Sequence, residues 1–375
     1  MKYTGNFGLE RETLRIDKNG CLAKTPHPFG LDEHITRDFC ENQIELVTPV
    51  CKNIDDVIEA LGELDTRTNE VLKKNNEKLW LYSNPPHFES EDDIPIAVFE
   101  GMLSAKSDYR MALQMRYGKR LMLLSGIHFN FSFSDDFLAE LSGGKNADRL
   151  FKDTLYLRLY KQLMTHSFLL VLLTSASAYY DKSFDSDGTD GVVIGEYSSI
   201  RNSERGYFNL FTPVLDHSSV SDFCSSLDEY IRKGMLFSVS ELYLPIRLKP
   251  KGENSLSALR ESGVDHIELR MFDLNPKAPL GIDENDLKFA YLLIMYLLTL
   301  PDFEFTEELQ REAVKKHKAA ALLNTNPELL KIAENIINSM KKYFSDDEDA
   351  LNIINYELSK LYQSQEERFV NYYRR

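Results

Sequence analysis

Alternating apolar and polar side chains mark several β-strands along this chain. In residues 122–133, the clearest case, three phenylalanines fall on one face, and His128 falls on the other with Asn130 and Ser132. Residues 6–16, NFGLERETLRI, have a similar strand-like pattern. Three further strands or extended segments are predicted at residues 42–50, 241–249 and 265–273.

Apolar residues that recur every three to four positions predict helices elsewhere. The predicted helices run from Asp55 to about Lys74 and over residues 146–178 (one long helix or a helix pair), 284–300, about 305–322 and 328–344. A last helix is expected to start at Ser345, where SDDE matches a capping box. The stretch DSDGTDG, residues 185–191, is predicted to be a loop. Because strands and helices do not alternate in a βαβ rhythm, we expect the α+β class with a largely antiparallel sheet.

Length and composition favour one catalytic domain. The chain has 375 residues, of which 43% are apolar and 27% are charged, which is the balance of a globular protein with a full core. The sequence has no internal repeat, low-complexity tract or linker-like stretch. We therefore predict a single domain over residues 1–375, with a helical C-terminal region from about 284 to 375.

Charge and cysteine usage restrict the partners and the location. The formal charge of -15 disfavours nucleic acid as a partner, because acidic surfaces repel phosphate backbones. The four cysteines are scattered and form no CxxC pair, which favours reduced thiols. The apolar runs 168–173 and 289–300 are shorter than the ~20 residues that span a bilayer, and the N-terminal residues lack a signal-peptide core. We expect a cytoplasmic protein without membrane contact.

Several titratable side chains lie inside otherwise apolar strands. Glu10 and Glu12 are two positions apart in one strand, so both point to the same face. The others, which occur in three further segments, are Asp38, Glu45, His128 and Glu268. Each has an ordinary alternative explanation, such as a solvated sheet face, a hydrogen-bonded core histidine or a surface ion pair. Their accumulation in four short apolar segments favours a common site.

If these segments pair into one sheet, their carboxylates converge. Two carboxylates at ~4 Å repel by roughly 4 kcal/mol at an effective dielectric near 20. Several such pairs would rival a total stability of about 5–15 kcal/mol. Cations relieve this repulsion, and carboxylate oxygens suit Mg²⁺ or Mn²⁺. Although the P-loop, GxGxxG, HExxH and GxSxG motifs are all absent from the sequence, divalent ions held by acids beside arginines are typical of a nucleoside triphosphate site.

Two segments rich in arginine and tyrosine complete the candidate site, at residues 107–118 and 198–209. Guanidinium groups bind carboxylates and phosphates through two parallel hydrogen bonds. Arg110 and Arg201 lie among aromatic and small residues, where an unpaired charge is costly, so ligand binding is favoured for both. Surface ion pairing is the better interpretation for Arg116 and Arg205.

At these segments the sequence resembles the bacterial glutamate–cysteine ligase family, in particular the ligase portion of bifunctional glutathione-making enzymes. The matching stretches, in the family's order, are FGLERETLRI (7–16), TPHP (25–28), ITRDFCENQIELVTP (35–49), LWLYSNPP (79–86), YRMALQMRYG (109–118), SGIHFNFSF (125–133), SIRNSERGYFN (199–209), LYLPIRLKP (242–250) and IELRMFDLNPKAPLGI (267–282). The resemblance implies a fold like the catalytic domain of glutamine synthetase, a curved, mainly antiparallel sheet surrounded by helices. We expect the chain to correspond to the ligase portion, without the ATP-grasp half.

The resemblance also implies roles for individual residues. The implied ligands of Mg²⁺ or Mn²⁺ are Glu10, Glu12, Asp38, Glu45, His128 and Glu268. Arg270 matches a catalytic residue at the ATP phosphates. Arg110 falls where the family binds a substrate carboxylate, which gives it a catalytic role as well. The residues implied around the cysteine pocket are Phe39, Tyr109, Arg201 and Tyr207.

The activity that the resemblance implies is an ATP-dependent ligation. The γ-carboxylate of L-glutamate would be joined to the amine of L-cysteine through a γ-glutamyl phosphate, which is the first step of glutathione biosynthesis. One alternative is a ligase of the same fold with a different amine acceptor. Another is a catalytically silent protein that binds a nucleotide or an amino acid, and the competent ligand at every matched position argues against it.

Overall fold

An antiparallel sheet lies at the centre of the fold. The structure, a computed structural model, describes residues 3–101, 104–144, 147–365 and 367–369. The strand order is β2 (Ile35–Arg37), β3 (Gln43–Val47), β1 (Asn6–Ile16), β5 (Gly126–Ser132), β9 (His266–Asp273) and β8 (Ile246–Lys249), with β4 (Lys78–Leu79) paired to the end of β1. All of these pairs are antiparallel. A separate hairpin joins β6 (Tyr179–Asp181) to β7 (Val192–Ile194) through the predicted 185–191 loop.

Strand alternation gives the sheet one apolar and one polar face. On the apolar face, the side chains of Phe7, Leu9, Phe129 and Phe131 are buried, and each contributes about 1.5–3 kcal/mol of transfer free energy. Helices α1 (Ile54–Lys74) and α4 (Arg149–Thr174) contact strands of the sheet. The ring of Tyr291, from helix α7 (Glu284–Leu297), lies 5.9 Å from the ring of Phe7. With this face covered, the polar face is left for the candidate site.

The segment after β9 is helical, as predicted. The helices there are α7, α8 (Glu307–Ala320), α9 (Pro327–Tyr343) and α10 (Glu348–Lys360). A buried ion cluster ties α10 to α7, because Nζ of Lys360 pairs with Asp286 and lies 2.8 Å from Oε1 of Glu357. The other described helices are α2 (Ser104–Tyr117), α3 (Asp135–Leu141), α5 (Val220–Arg232) and α6 (Leu256–Ser262).

The α+β class and the antiparallel sheet are confirmed, with local differences from the predicted elements. Two predicted strands start later than expected: β5 begins only at Gly126 and β8 only at Ile246, since each follows a 3₁₀ turn. The capping box at Ser345 is wrong, because the carboxylate of Asp347 caps α10 and accepts a hydrogen bond from the amide of Ala350 at 3.0 Å.

Helices α2, α3, α5 and α6 were not predicted by the apolar pattern. None of the described helices combines the length and the apolar character needed to cross a membrane. The predicted extent of a single domain, residues 1–375, stays a prediction, and it includes residues outside the described ranges.

Candidate active site

Strand pairing brings the predicted acidic residues onto one face of the sheet. Glu10 of β1 pairs with His128 of β5, and Glu12 of β1 pairs with Glu45 of β3. Glu268 of β9 lies opposite the β5 residue two positions after His128. Because directly opposed residues of an antiparallel pair point to the same face, four strands contribute to one polar surface.

His128 lies among three carboxylates. Its Nδ1 atom is 3.1 Å from Oε2 of Glu10 and 3.3 Å from Oε1 of Glu268. Its Nε2 atom is 3.5 Å from Oε1 of Glu12. One donor atom from each of Glu10, His128 and Glu268 lies within 4.8 Å of the other two. Side chains from strands remote in sequence therefore meet closely enough to share a cation.

A cavity of about 480 Å³ opens above this cluster, a size that accommodates small molecules. The predicted site residues that line it are Glu10, Glu12, Asp38, Glu45, Tyr109, His128, Tyr207 and Arg270. Glu268 is fully buried beneath the lining, where it contacts His128 and Arg270. The structure thus brings all six predicted metal ligands, two tyrosines and one arginine to a single place.

The carboxylates of the cluster perturb one another. Burial, followed by the charge of Asp38, raises the pKa of Glu12 to about 8. Burial and the charge of Glu10 raise the pKa of Glu45 well above its usual value. Burial and Glu268 also act to raise the pKa of Glu10, but the hydrogen bond with His128 and the charge of Lys249 outweigh them and hold it at about 2. Such crowding is relieved by a bound cation.

The imidazole of His128 also fits a divalent cation. Burial, then the charge of Arg270, lowers the pKa of His128 to about 4, so the ring is neutral at pH 7. Its Nε2 atom is buried and makes no hydrogen bond with any described residue. Carboxylate oxygens are the ligands that suit Mg²⁺ or Mn²⁺, and a neutral imidazole nitrogen can add one further bond to a divalent cation. The residues present therefore fit the metal that the sequence predicts.

Three basic side chains surround Glu268 at one end of the cavity. Arg270 forms a close ion pair with it, while Nη1 of Arg247 and Nζ of Lys249 lie 3.5 Å and 3.3 Å from its Oε2. One carboxylate against three cations leaves a net positive charge, and all three line the cavity. Sequence analysis missed Arg247 and Lys249. The alternation of apolar and basic residues in IRLK, 246–249, is the signal that places both on one face.

A β-bulge directs Arg270 toward the cavity. Between the positions paired with Ile127 and Phe129, β9 has two residues where β5 has one. The amide of Arg270, within this bulge, donates a hydrogen bond of 3.0 Å to the carbonyl of Pro245. Bulges bend a strand and re-aim side chains beside active sites.

Arg201 lies against the sheet over a glycine. Its Nη1 donates to the carbonyl oxygens of Arg270 at 2.7 Å and Phe272 at 3.0 Å, and its Nη2 donates to the hydroxyl of Tyr207 at 3.3 Å. A Cβ atom at Gly126 would lie 2.1 Å from Cζ of Arg201, so only glycine leaves room for the guanidinium. The guanidinium thus holds the main chain beside Arg270, and its predicted contact with substrate stays a prediction.

Arg110 and Phe39 lie behind the cavity wall. The Arg110 guanidinium donates to the carbonyl oxygen of Asp38, and at 3.0 Å and 3.1 Å to those of Lys106 and Arg37. Phe39 is a fully buried core residue. These contacts favour positioning of Asp38 by Arg110, and the predicted binding of a substrate carboxylate by Arg110 remains untested by the structure.

Comparison with known proteins shows which family this chain is similar to. The family model "Glutamate-cysteine ligase" matches residues 2–235 and 228–320. The bifunctional glutathione biosynthesis protein GshAB of Clostridium perfringens is 35% identical over 95% of this chain, which spans 50% of that protein. The glutamate–cysteine ligase of Clostridium acetobutylicum is 32% identical over 88% of this chain and 79% of its own length.

The solved structures show the same fold. The crystal structure of the Francisella tularensis glutamate–cysteine ligase in complex with AMP has a TM-score of 0.86, with 24% identity, over 100% of this chain and 86% of that chain. The chain spans about half the length of the bifunctional relatives that it matches. From the matched residues and the identity to these relatives, the chain belongs to the glutamate–cysteine ligase family.

Proposed function

We propose that this chain joins the γ-carboxylate of L-glutamate to the amine of L-cysteine at the expense of ATP, giving γ-glutamylcysteine for glutathione biosynthesis. The observation that carries this proposal is the meeting of six predicted metal ligands, five lining the cavity and Glu268 buried beneath it, with three basic side chains. Family membership supports the same reaction. Glutamate, cysteine and ATP are therefore the proposed small-molecule partners.

The proposed metal site takes one or more Mg²⁺ or Mn²⁺ ions. The residues that would hold them are Glu10, Glu12, Asp38, Glu45, His128 and Glu268. When bound, the metal would neutralise negative charge on the phosphate oxygens of ATP. Without a cation the acids would repel an incoming triphosphate, so the cluster suits a metal-complexed nucleotide.

The basic end of the cavity is the proposed site of phosphoryl transfer. Arg270 contacts the developing charge on the transferred phosphoryl group, and Arg247 and Lys249 add positive charge beside it. A γ-carboxylate oxygen of glutamate forms a bond to the γ-phosphorus of ATP, and the bond from that phosphorus to the bridging oxygen breaks. ADP leaves, and γ-glutamyl phosphate remains in the cavity.

The second step is aminolysis of the acyl phosphate. The cysteine nitrogen forms a bond to the acyl carbon, the carbon–oxygen bond to phosphate breaks, and the proton lost by the amine passes to the departing phosphate or to solvent. Water competes for the same intermediate, so the amine side must exclude it. Tyr109 and Tyr207 line that part of the cavity, with Phe39 packed behind them.

Phosphate release tests the proposal directly. The purified protein is incubated with ATP, Mg²⁺ and L-glutamate, and each amine of a panel that includes L-cysteine, L-alanine and glycine is added in turn. We expect cysteine-dependent phosphate release and a product with the mass of γ-glutamylcysteine. Greater turnover with another amine would favour the alternative acceptor, and no release with any amine would refute ligase activity.

We also propose a cytoplasmic location. All four cysteines are free thiols in the structure, a state that a reducing compartment preserves. Supply of ATP and glutamate is consistent with the same compartment.

A further inference from the structure

A buried carboxylate outside the metal cluster joins three segments that form the aromatic wall of the cavity. The side chain of Glu241 is 1% exposed, and Glu241 is the last residue of a short 3₁₀ turn, Val239–Glu241, that precedes β8. Its Oε1 accepts hydrogen bonds from Arg116 and, at 2.7 Å, from the hydroxyl of Tyr117. Its Oε2 accepts one from the amide of Phe237. A carboxylate with three donors and little solvent is held in one orientation.

Two of the three donors to the Glu241 carboxylate contact a tyrosine of the cavity. The Tyr117 ring meets the Tyr243 ring edge-on, with centroids 5.5 Å apart. The Phe237 ring packs on that of Tyr109, with centroids 5.8 Å apart. Tyr109 and Tyr243 both line the cavity.

The main chain of Glu241 is tied to the third tyrosine. Its carbonyl accepts a hydrogen bond of 2.6 Å from Nδ2 of Asn209, whose Oδ1 accepts one of 2.9 Å from the amide of Tyr243. Asn209 is two residues after Tyr207, and the Tyr207 ring lies 5.2 Å from the Tyr243 ring, edge-on. One residue thus connects all three tyrosines that line the cavity.

Arg116 closes this arrangement from helix α2. Beyond Glu241, it donates hydrogen bonds of 3.0 Å to the carbonyl oxygens of Gly234 and Met235. It was interpreted from the sequence as a surface ion pair, but its partner is buried. The pair joins the end of α2 to the segment that carries Phe237 and Glu241. Tyr117 and Phe237, which contact the cavity tyrosines, are therefore held at a fixed distance from each other.

We infer that Glu241 is a positioning residue that sets the spacing of Tyr109, Tyr207 and Tyr243, and thereby the affinity and selectivity for the amine substrate rather than for ATP. The inference rests on the proposed function, because it assigns the aromatic wall to the amine. Five of the predicted metal ligands and Arg270 lie on strands β1, β3, β5 and β9, whose pairing does not involve the Glu241 side chain. Asp38, which follows β2, and Arg247, which donates to the carbonyl oxygens of Ser240 and Leu242, lie closer to the segments that Glu241 joins. A substitution of Glu241 should therefore change mainly the KM of the amine substrate.

The test compares the variants Glu241→Gln and Glu241→Ala with the wild type. The KM of each substrate is measured by phosphate release while the other two are saturating. We expect Glu241→Ala to raise the KM of the amine at least tenfold and Glu241→Gln to raise it a few-fold. The kcat and the KM of ATP should change less than threefold. The ratio of kcat/KM between L-cysteine and L-alanine should also fall.

A matched control separates positioning from general destabilisation. Glu77 is another buried carboxylate, 2.7 Å from Nη1 of Arg15, and it does not line the cavity. Glu77→Gln should lower the unfolding temperature while leaving the KM of the amine unchanged. Folding of each variant is checked by thermal unfolding. An unchanged amine KM in a folded Glu241→Ala, or equal rises for all three substrates, would overturn the inference.

The outcome also distinguishes the inference from the proposed function. If the wild type releases no phosphate with any amine, the proposed ligase activity fails. The positioning role is then judged from a crystal structure of Glu241→Ala. Displaced rings of Tyr109 and Tyr243 would support the role, and unchanged ring positions would overturn it.

Discussion

Substitution of Gly126 tests how the main chain near Arg270 is held in place. In Gly126→Ala, the new methyl group would lie 2.1 Å from Cζ of Arg201 and 2.4 Å and 2.5 Å from its two terminal nitrogens. To reach the 3.4 Å at which ordinary contact begins, the guanidinium must move by about 1.3 Å. The sheet holds the main chain of Gly126, so we expect the arginine to move.

The structure gives the cost of that movement. Arg201 donates to two carbonyl oxygens of β9 at 2.7 Å and 3.0 Å, and a shift of this size breaks at least one of the two bonds. A hydrogen bond from a charged group contributes about 1.5–3 kcal/mol. We therefore expect the free energy of unfolding to fall by about 1.5–6 kcal/mol. Since the usual total is about 5–15 kcal/mol, a protein in the upper part of that range would stay folded after this loss. Displacement of about 1 Å near a reacting centre costs on the order of a hundredfold in rate.

The assay combines denaturant unfolding with phosphate release. Gly8→Ala is a matched control, because Gly8 is on the same sheet face and its Cβ would meet only the Cβ of Asn130, at an ordinary 3.6 Å. We expect the control to keep wild-type stability within about 1 kcal/mol and wild-type turnover within a small factor. Gly126→Ala should lose both stability and turnover relative to the wild type.

A double-mutant cycle then assigns the loss to Arg201. If the clash is with the guanidinium, Gly126→Ala should have almost no further effect in the Arg201→Ala background, since the displaced group is gone. Additive losses in the double variant would refute this reasoning and locate the strain elsewhere. Wild-type turnover and stability in the single Gly126→Ala variant would refute it as well.

Three further predictions follow from the site and from the C-terminal helices. Glu10→Gln should reduce phosphate release by about a hundredfold or more with little change in stability, and full activity would contradict the metal-ligand assignment. Arg201→Ala should raise the KM of the amine, and an unchanged KM for cysteine would argue against a role on that side. Burial, then Asp286, raises the pKa of Glu357 to about 8, so ionisation opposes folding, and stability falls as the pH rises from about 4.3 toward 8. Glu357→Gln should therefore raise the unfolding temperature more at pH 8 than at pH 5. Glu59→Gln, at an exposed position, should leave the unfolding temperature unchanged at both pH values. Equal gains for Glu357→Gln at pH 5 and pH 8 would contradict the coupling.

Local pattern alone predicted much of the sheet. The period-two alternation in residues 6–16 and 265–273 located β1 and β9 within one residue of their ends. The same alternation placed Glu10 and Glu12 on a common face, because side-chain direction in a strand depends only on the parity of the position. Strands that start after a 3₁₀ turn were predicted too long, since the apolar pattern continues through the turn.

The contacts of the arginines could not be read from the sequence. Arg110 and Arg201 were predicted to bind ligands, but their guanidinium groups donate to main-chain carbonyls in segments 70 or so positions away. Main-chain acceptors are present at every residue, so a sequence carries no signal for which carbonyl a guanidinium will meet. Glu241 was also missed, because Arg116, Tyr117 and Asn209, which donate to its carboxylate or its carbonyl, lie in segments remote in sequence.

The amino-acid sequence by itself determined which side chains are acidic, which strand face each occupies, and which family the chain resembles. The tertiary structure alone decided that β3, β1, β5 and β9 are neighbours, in a register that sets Glu10 opposite His128 and Glu12 opposite Glu45. The physical reason is that strand order and register depend on packing between segments far apart in sequence, whereas side-chain alternation depends on the local backbone alone.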